Sequence, residues 1–154
     1  MNDLQDRRTI REIVHNARTV AIVGLSASEL RASNFVGYYL QRHGYRVIPV
    51  NPNEERVLGE KVYASLRDVP DRIDVVDVFR DPAAVPEIAR AAVEVGAGAL
   101  WLQFGVISQA GARIAQEGGL KVVMDRCLKV EHARLLGRMH WMGFDTGVIV
   151  GSRN

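Results

Sequence analysis

Thr19-Val20-Ala21-Ile22-Val23-Gly24-Leu25-Ser26-Ala27-Ser28-Glu29-Leu30-Arg31-Ala32-Ser33 is the stretch whose reading settles the fold. It opens with a short, mostly β-branched run that stops at a glycine. A run apolar on both faces reads as a strand inside a parallel sheet. A polar loop from Leu25 to Ser33 follows. Beyond it Phe35, Val36, Tyr39 and Leu40 recur at helical spacing, with Ser33 or Asn34 as the expected N-cap and Gly44 as the left-handed residue that closes the helix. Strand, glycine turn and helix in that order begin a βαβ unit.

The same alternation extends in both directions. Upstream, Ile10, Ile13, Val14 and Ala17 mark one face of an amphipathic helix from about Asp3 to Arg18. Downstream, Arg46-Val47-Ile48-Pro49-Val50 is a second strand, made imperfect by Pro49, and Asn51-Pro52-Asn53 turns the chain away. Residues 54 to 73 read as a crossover with weak helical content around Ser65 to Asp68. A third strand spans Asp74 to Phe79. Asp81-Pro82 supplies an N-cap and first-turn proline for a helix closing at Gly96, and Pro86 offers a later start. Ala99 to Leu102 is a fourth strand, and Ser108 caps a helix ending at Gly118-Gly119. Lys121 to Met124 is a fifth strand, and a last helix covers roughly Leu128 to Leu136. The expected fold is α/β: a doubly wound, Rossmann-like parallel sheet of five strands with helices on both faces. The simplest strand order is 3-2-1-4-5.

The chain of 154 residues suits one domain, expected over residues 1–137. The tail 138–154 carries Met139, Trp141, Met142, Phe144, Val148, Ile149 and Val150, which suggest packing on this chain or on a second copy in a homodimer. Twenty basic against eighteen acidic residues give a formal charge of +2, too weak a bias for nucleic acid. Arg7-Arg8 reads as the solvated face of the first helix. The single cysteine, Cys127, cannot form an internal disulfide, which fits a reducing cytoplasmic setting. The polar, acidic start Met1 to Asp6 is no signal peptide, and no apolar run has the length of a membrane span. His15, His43 and His140 show no metal-ligand spacing.

In such a sheet, ligands bind outside the carboxyl ends of the strands. Gly24 permits a tight turn there, Ser26 and Ser28 bring hydroxyls, Arg31 a planar cationic fork, and the next helix its N-terminal amides. Together these suit a phosphate or diphosphate, and they equally describe a plain polar loop. The dinucleotide fingerprint G-x-G-x-x-G fails, because Ser26 stands at its second glycine. The carboxylate that would bind an adenosine ribose after the second strand is missing, since Val50-Asn51-Pro52 stands there.

Five ordered segments carry a specific resemblance: Ala21 to Ser26, Gly44 to Pro52, Asp74 to Arg80, Trp101 to Gln103, and Asp125-Arg126-Cys127-Leu128-Lys129-Val130-Glu131-His132. Over roughly residues 8 to 136 the chain resembles stand-alone CoA-binding domain proteins. These are similar to the CoA-binding domain of the succinyl-CoA synthetase α subunit and of NDP-forming acyl-CoA synthetases. The resemblance implies a coenzyme A site. The Gly24 to Ser33 loop, with Asn34 behind it, would hold the diphosphate, and Val50, Asn51 and Pro52 would wall the adenine and ribose. Phe79 and Arg80 would supply an apolar face and a cation. Trp101, Gln103 and Gly105 would border the pantetheine arm, with Arg31, Arg56 and Arg80 as phosphate ligands. Arg56 also reads as solvated, Trp101 as core, and Asp125 and Arg126 as a pair or a helix cap.

The leading expectation is a non-catalytic CoA or acyl-CoA binding protein, a sensor or carrier. Two rivals stand beside it. One is an enzyme role, as partner subunit of an NDP-forming acyl-CoA ligase or as a redox protein using the Cys127 thiol. The other is a module for NAD or another nucleotide, against which the missing carboxylate counts.

Overall fold

The computed structural model describes residues 7–141, with side chains as far as residue 135. Helix α1 (Arg7–Asn16) leads into β1 (Thr19–Val23), α2 (Ala32–Arg42) and β2 (Arg46–Val50). A small hairpin, β3 (Arg56–Val57) and β4 (Glu60–Lys61), and a 3-10 turn at Leu66–Asp68 follow. Then come β5 (Val75–Val78), α3 (Val85–Glu94), β6 (Ala99–Leu102), α4 (Gln109–Glu117), β7 (Lys121–Met124) and α5 (Leu128–Trp141). Among the described residues no helix is long and apolar enough to cross a membrane. The readings of Met1 to Asp6 and of the tail beyond Trp141 lie outside the described residues.

The five long strands form one all-parallel sheet, as expected, but in the order β2-β1-β5-β6-β7. Counting only those strands, this is 2-1-3-4-5, which corrects the expected 3-2-1-4-5. The cause lies in the segment between β2 and β5. Tyr63 lies along the outer edge of β2: its amide donates to Pro49 O (3.0 Å), and its carbonyl accepts from Asn51 N (2.9 Å). With that side covered, the third long strand pairs on the other side of β1. Pro49, which has no amide hydrogen, suits the edge strand this order makes of β2.

Alternation along each strand divides the core into two layers. Ala21, Val23, Val76, Val78, Leu100 and Leu102 share one cluster with α3 and α4. Val20, Ile22, Val75, Ala99 and Trp101 share the other with α1, α2 and α5. Asp77 is a polar intrusion into the middle of the sheet. It stands in register between Ile22 and Trp101, fully buried, and neither carboxyl oxygen has a partner among the described residues. Burial raises its pKa well above the usual carboxylate range, which favours the neutral acid over the carboxylate.

Local signals mostly hold. Ser108 Oγ accepts from Gly111 N (3.0 Å) and caps α4. Pro82–Ala84 form a 3-10 turn and α3 begins at Val85, with Pro86 in its first turn. The start of α2 is a correction. The N-cap position is Arg31, whose side chain makes no cap bond, while Ser33 and Asn34 lie buried inside the first turn.

Candidate functional site

The site is built where β1 ends. Gly24 has φ +91°, and a Cβ there would sit 2.4 Å from Phe79 O. Only glycine lets the exit of β1 press so closely on the exit of β5. Gly24 N donates to Val50 O (2.8 Å) and Phe79 N to Val23 O (2.9 Å), so three strand ends are locked together. In the 2-1-3-4-5 order this is the topological switch point, since the chain passes from β1 outward to β2 and then crosses back over β1 to β5.

The loop above is held by its own polar groups. Ser26 N donates to Ser33 Oγ (3.0 Å), Asn34 Nδ2 to Ser26 O (2.9 Å), and Ser28 N to Ser26 Oγ (3.0 Å). Asn51 Nδ2 donates to Leu25 O (3.1 Å), tying the turn after β2 to the same loop. Each serine hydroxyl that accepts in this way keeps its own proton to donate. The residues that cap no helix therefore shape the loop instead.

An open cleft of about 540 Å³ lies between the loop and the ends of β2 and β5. It gathers Gly24, Ser26, Arg31, Ser33, Asn51, Pro52, Phe79 and Arg80 of the expected residues, together with Ala32 and Asn53. Among the described residues, the guanidinium groups of Arg31 and Arg80 have no carboxylate partner, and the amides of Ala32 and Ser33 have no acceptor. These two amides open α2, where the helix dipole adds partial positive charge. One opposing charge is close: Glu54 Oε2 accepts from Ala27 N (3.2 Å). A second, more apolar cavity of about 280 Å³ shares Pro52 and Arg80 with the cleft and is lined by Val50, Leu66, Ile88 and Ala91 among others.

The other expected residues lie elsewhere. Ser28 is exposed in the loop, its Oγ accepting from Leu30 N (3.3 Å), and Asn34 is a buried clamp. Arg56 is on the hairpin, bonded to Gly59 O (3.2 Å). Trp101 is core and not pocket wall: it is fully buried, and its Nε1 donates to Arg126 O (2.8 Å). Gln103 is buried and its Oε1 accepts from Leu128 N (3.1 Å), fixing the start of α5. Gly105 N donates to Asp125 Oδ1 (2.7 Å) in the loop after β6. Asp125 and Arg126, read as a pair or a helix cap, form no ion pair with each other among the described residues, and Asp125 is tied to Gly105. Asn53 and Glu54 were missed; the Asn51-Pro52-Asn53 turn signals the first, and nothing in the sequence signals the second.

Cys127 is half-buried beside α5 and does not line the cleft. Near it, Tyr39 Oη and His132 Nδ1 share a hydrogen bond of 2.8 Å between α2 and α5. Burial, helped by Tyr45 and Cys127, pushes the Tyr39 hydroxyl up to about 12. Burial, helped by His43, brings His132 down to about 4, so the imidazole is neutral at physiological pH. Glu131 faces away and pairs with Arg134.

Comparison with known proteins fits this geometry. The uncharacterized protein YneT of Bacillus subtilis (strain 168) is 38% identical over 124 residues, covering 80% of this chain and 92% of that protein. Acetate–CoA ligase [ADP-forming] I of Archaeoglobus fulgidus is 30% identical over 122 residues, but this chain spans only 18% of that ligase. A solved structure, a hypothetical protein from Pyrococcus horikoshii OT3, superposes with a TM-score of 0.83 at 42% identity, covering 86% of this chain and 93% of that one. The sequence profile of the CoA binding domain matches residues 18–133, a span that contains the whole cleft. The chain belongs to the CoA-binding domain family.

Proposed function

We propose that the chain binds coenzyme A or an acyl-CoA in the strand-end cleft, with the diphosphate on the loop from Gly24 to Ser33, and acts as a sensor or carrier without chemistry of its own. The observation that carries this reading is the convergence of two unpaired guanidinium groups and two free helix amides on a turn that only glycine can make. The apolar cavity beside Val50 and Pro52 gives an adenine a place to lie, with Arg80 between base and phosphates. Each charge-assisted hydrogen bond contributes about 1.5–3 kcal/mol. Two or three of them with apolar contact support micromolar binding, about −8 kcal/mol.

Isothermal titration calorimetry tests this. CoA is expected to bind, and Arg31→Ala and Arg80→Ala each to weaken it by about tenfold or more, following the same bond energies. NAD is expected to give little heat, because Val50-Asn51-Pro52 stands at the end of β2 where a ribose-binding carboxylate belongs. Equal affinity for NAD and CoA, or wild-type affinity in both variants, would contradict the assignment. The likeness to acetate–CoA ligases favours a second reading, in which this chain is one part of a ligase. Co-purification with a nucleotide-grasping subunit, and acyl-CoA synthesis only by the mixture, would establish it.

A further inference from the structure

A groove of about 340 Å³ between α1 and α5 stands apart from the cleft. One stripe of α1 lines it with Arg7 and Arg11 above Ile10 and Val14, at the i, i+3, i+4, i+7 spacing of a single helix face. Arg126 enters from the β7–α5 connection and Arg134 from the facing side of α5. Ile10 and Val14 are buried and form an apolar floor. Among the described residues of this lining, four guanidinium groups therefore meet a single carboxylate, Glu131, and that one is engaged by Arg134 Nη1 at 2.8 Å. The neighbouring carboxylate, Asp125, accepts from Gly105 N through Oδ1 and forms no ion pair among the described residues. Among the described residues Arg7, Arg11 and Arg126 make no ion pair. Like charges four apart on a helix repel by a few tenths of a kcal/mol, roughly 0.2–0.5, and an anion between them would relieve that repulsion.

We propose that this groove is a second anion site, taking a multiply charged phosphate or diphosphate group. Three unpaired planar forks match the several oxygens of such a group, which accept bidentate hydrogen bonds. The anion has two possible sources: a free phosphate compound, or a phosphate of the ligand in the cleft. The second is within reach by topology. The short link from α1 into β1 turns α1 antiparallel to the sheet, so Arg7 lies at the same end as the cleft. The exits of β5 and β7 are two strand spacings apart, about 10 Å.

The test is an amide-resolved NMR titration of the full chain with inorganic pyrophosphate. Saturable shifts are expected in residues 7–14 and 126–135, retained in an Arg31→Ala/Arg80→Ala double variant and weakened at least tenfold by Arg7→Ala/Arg11→Ala. The far-ultraviolet circular dichroism of both variants should match the parent. Repeating the titration with saturating CoA separates the sources. Groove shifts that persist assign a free anion; groove residues shifted by CoA alone and closed to pyrophosphate assign the ligand's own phosphate. No saturable shift in the groove, or shifts unaltered by Arg7→Ala/Arg11→Ala, would overturn the proposal. Loss of CoA binding at residues 24–33 with the groove shifts intact would instead overturn only the reading of the cleft.

Discussion

At the scale of single residues, Gly24 has the least freedom to change. Its positive φ is costly for any residue with a Cβ, and the added atom would meet a backbone carbonyl that cannot rotate away. Gly24→Ala is expected to lower stability by roughly 1–3 kcal/mol, read as a fall in the urea midpoint, and to abolish CoA binding; an unchanged midpoint would refute the close approach. Glu54 acts in the opposite sense. Its carboxylate rests on the Ala27 amide, on the loop assigned to the diphosphate. Glu54→Gln removes that charge and should tighten CoA binding by about two- to fivefold at low salt, the scale of an exposed charge interaction, with the gain shrinking as salt screens it. Weaker binding in calorimetry would show that the carboxylate supports the loop more than it repels the ligand. The residues legible in sequence were those whose type dictates position: Gly24 for the turn, Arg31 and Arg80 for charge beside strand ends. Ser33 and Asn34 have the same chemistry as N-caps, and only the fold shows them turned inward onto Ser26.

At the scale of elements, α2 and α5 are joined by the buried Tyr39–His132 hydrogen bond, flanked by half-buried Tyr45 and exposed His43. The folded pKa of His132, about 4, lies below its ordinary 6.5. Between those values the unfolded chain binds the proton and the folded chain does not. The contribution of a neutral His132 is thus fully present above pH 6.5 and is lost as pH falls toward 4. Its size is roughly 2 kcal/mol after allowance for solvent screening. Urea midpoints measured from pH 7.5 down to pH 4 should fall, and His132→Gln should flatten that dependence; a parallel slope in the variant would remove His132 as its cause. Asp77 works against this slope, because its raised pKa favours the folded state at low pH, so the comparison with His132→Gln is what isolates the histidine. Periodicity revealed α2 and the start of α5, but nothing local reveals that Tyr39 meets His132, 93 residues away.

At the scale of the whole molecule, strand order decides where the ligand can sit. In the expected order the fourth strand would lie beside β1, and residues following it, Gln103 and Gly105, would face the crevice. In the observed order β5 takes that place and brings Phe79 and Arg80 to the crevice instead. The sequence held one clue, Pro49, which belongs on an edge strand. The rest depends on Tyr63 covering β2, a long-range pairing with no local signature. Fold class and the positions of the five long strands were legible because each is a short apolar run bounded by glycine, proline or a cap; the β3–β4 hairpin, too short and polar for such a signal, was read as a crossover. Register across the sheet was not legible. The decisive measurement on the cleft at the β1/β5 switch point is a crystal structure grown with excess coenzyme A. The diphosphate should lie against the amides of Ala32 and Ser33 with Arg31 and Arg80 turned onto it. A cleft still empty, or CoA seated elsewhere on the protein, would contradict it.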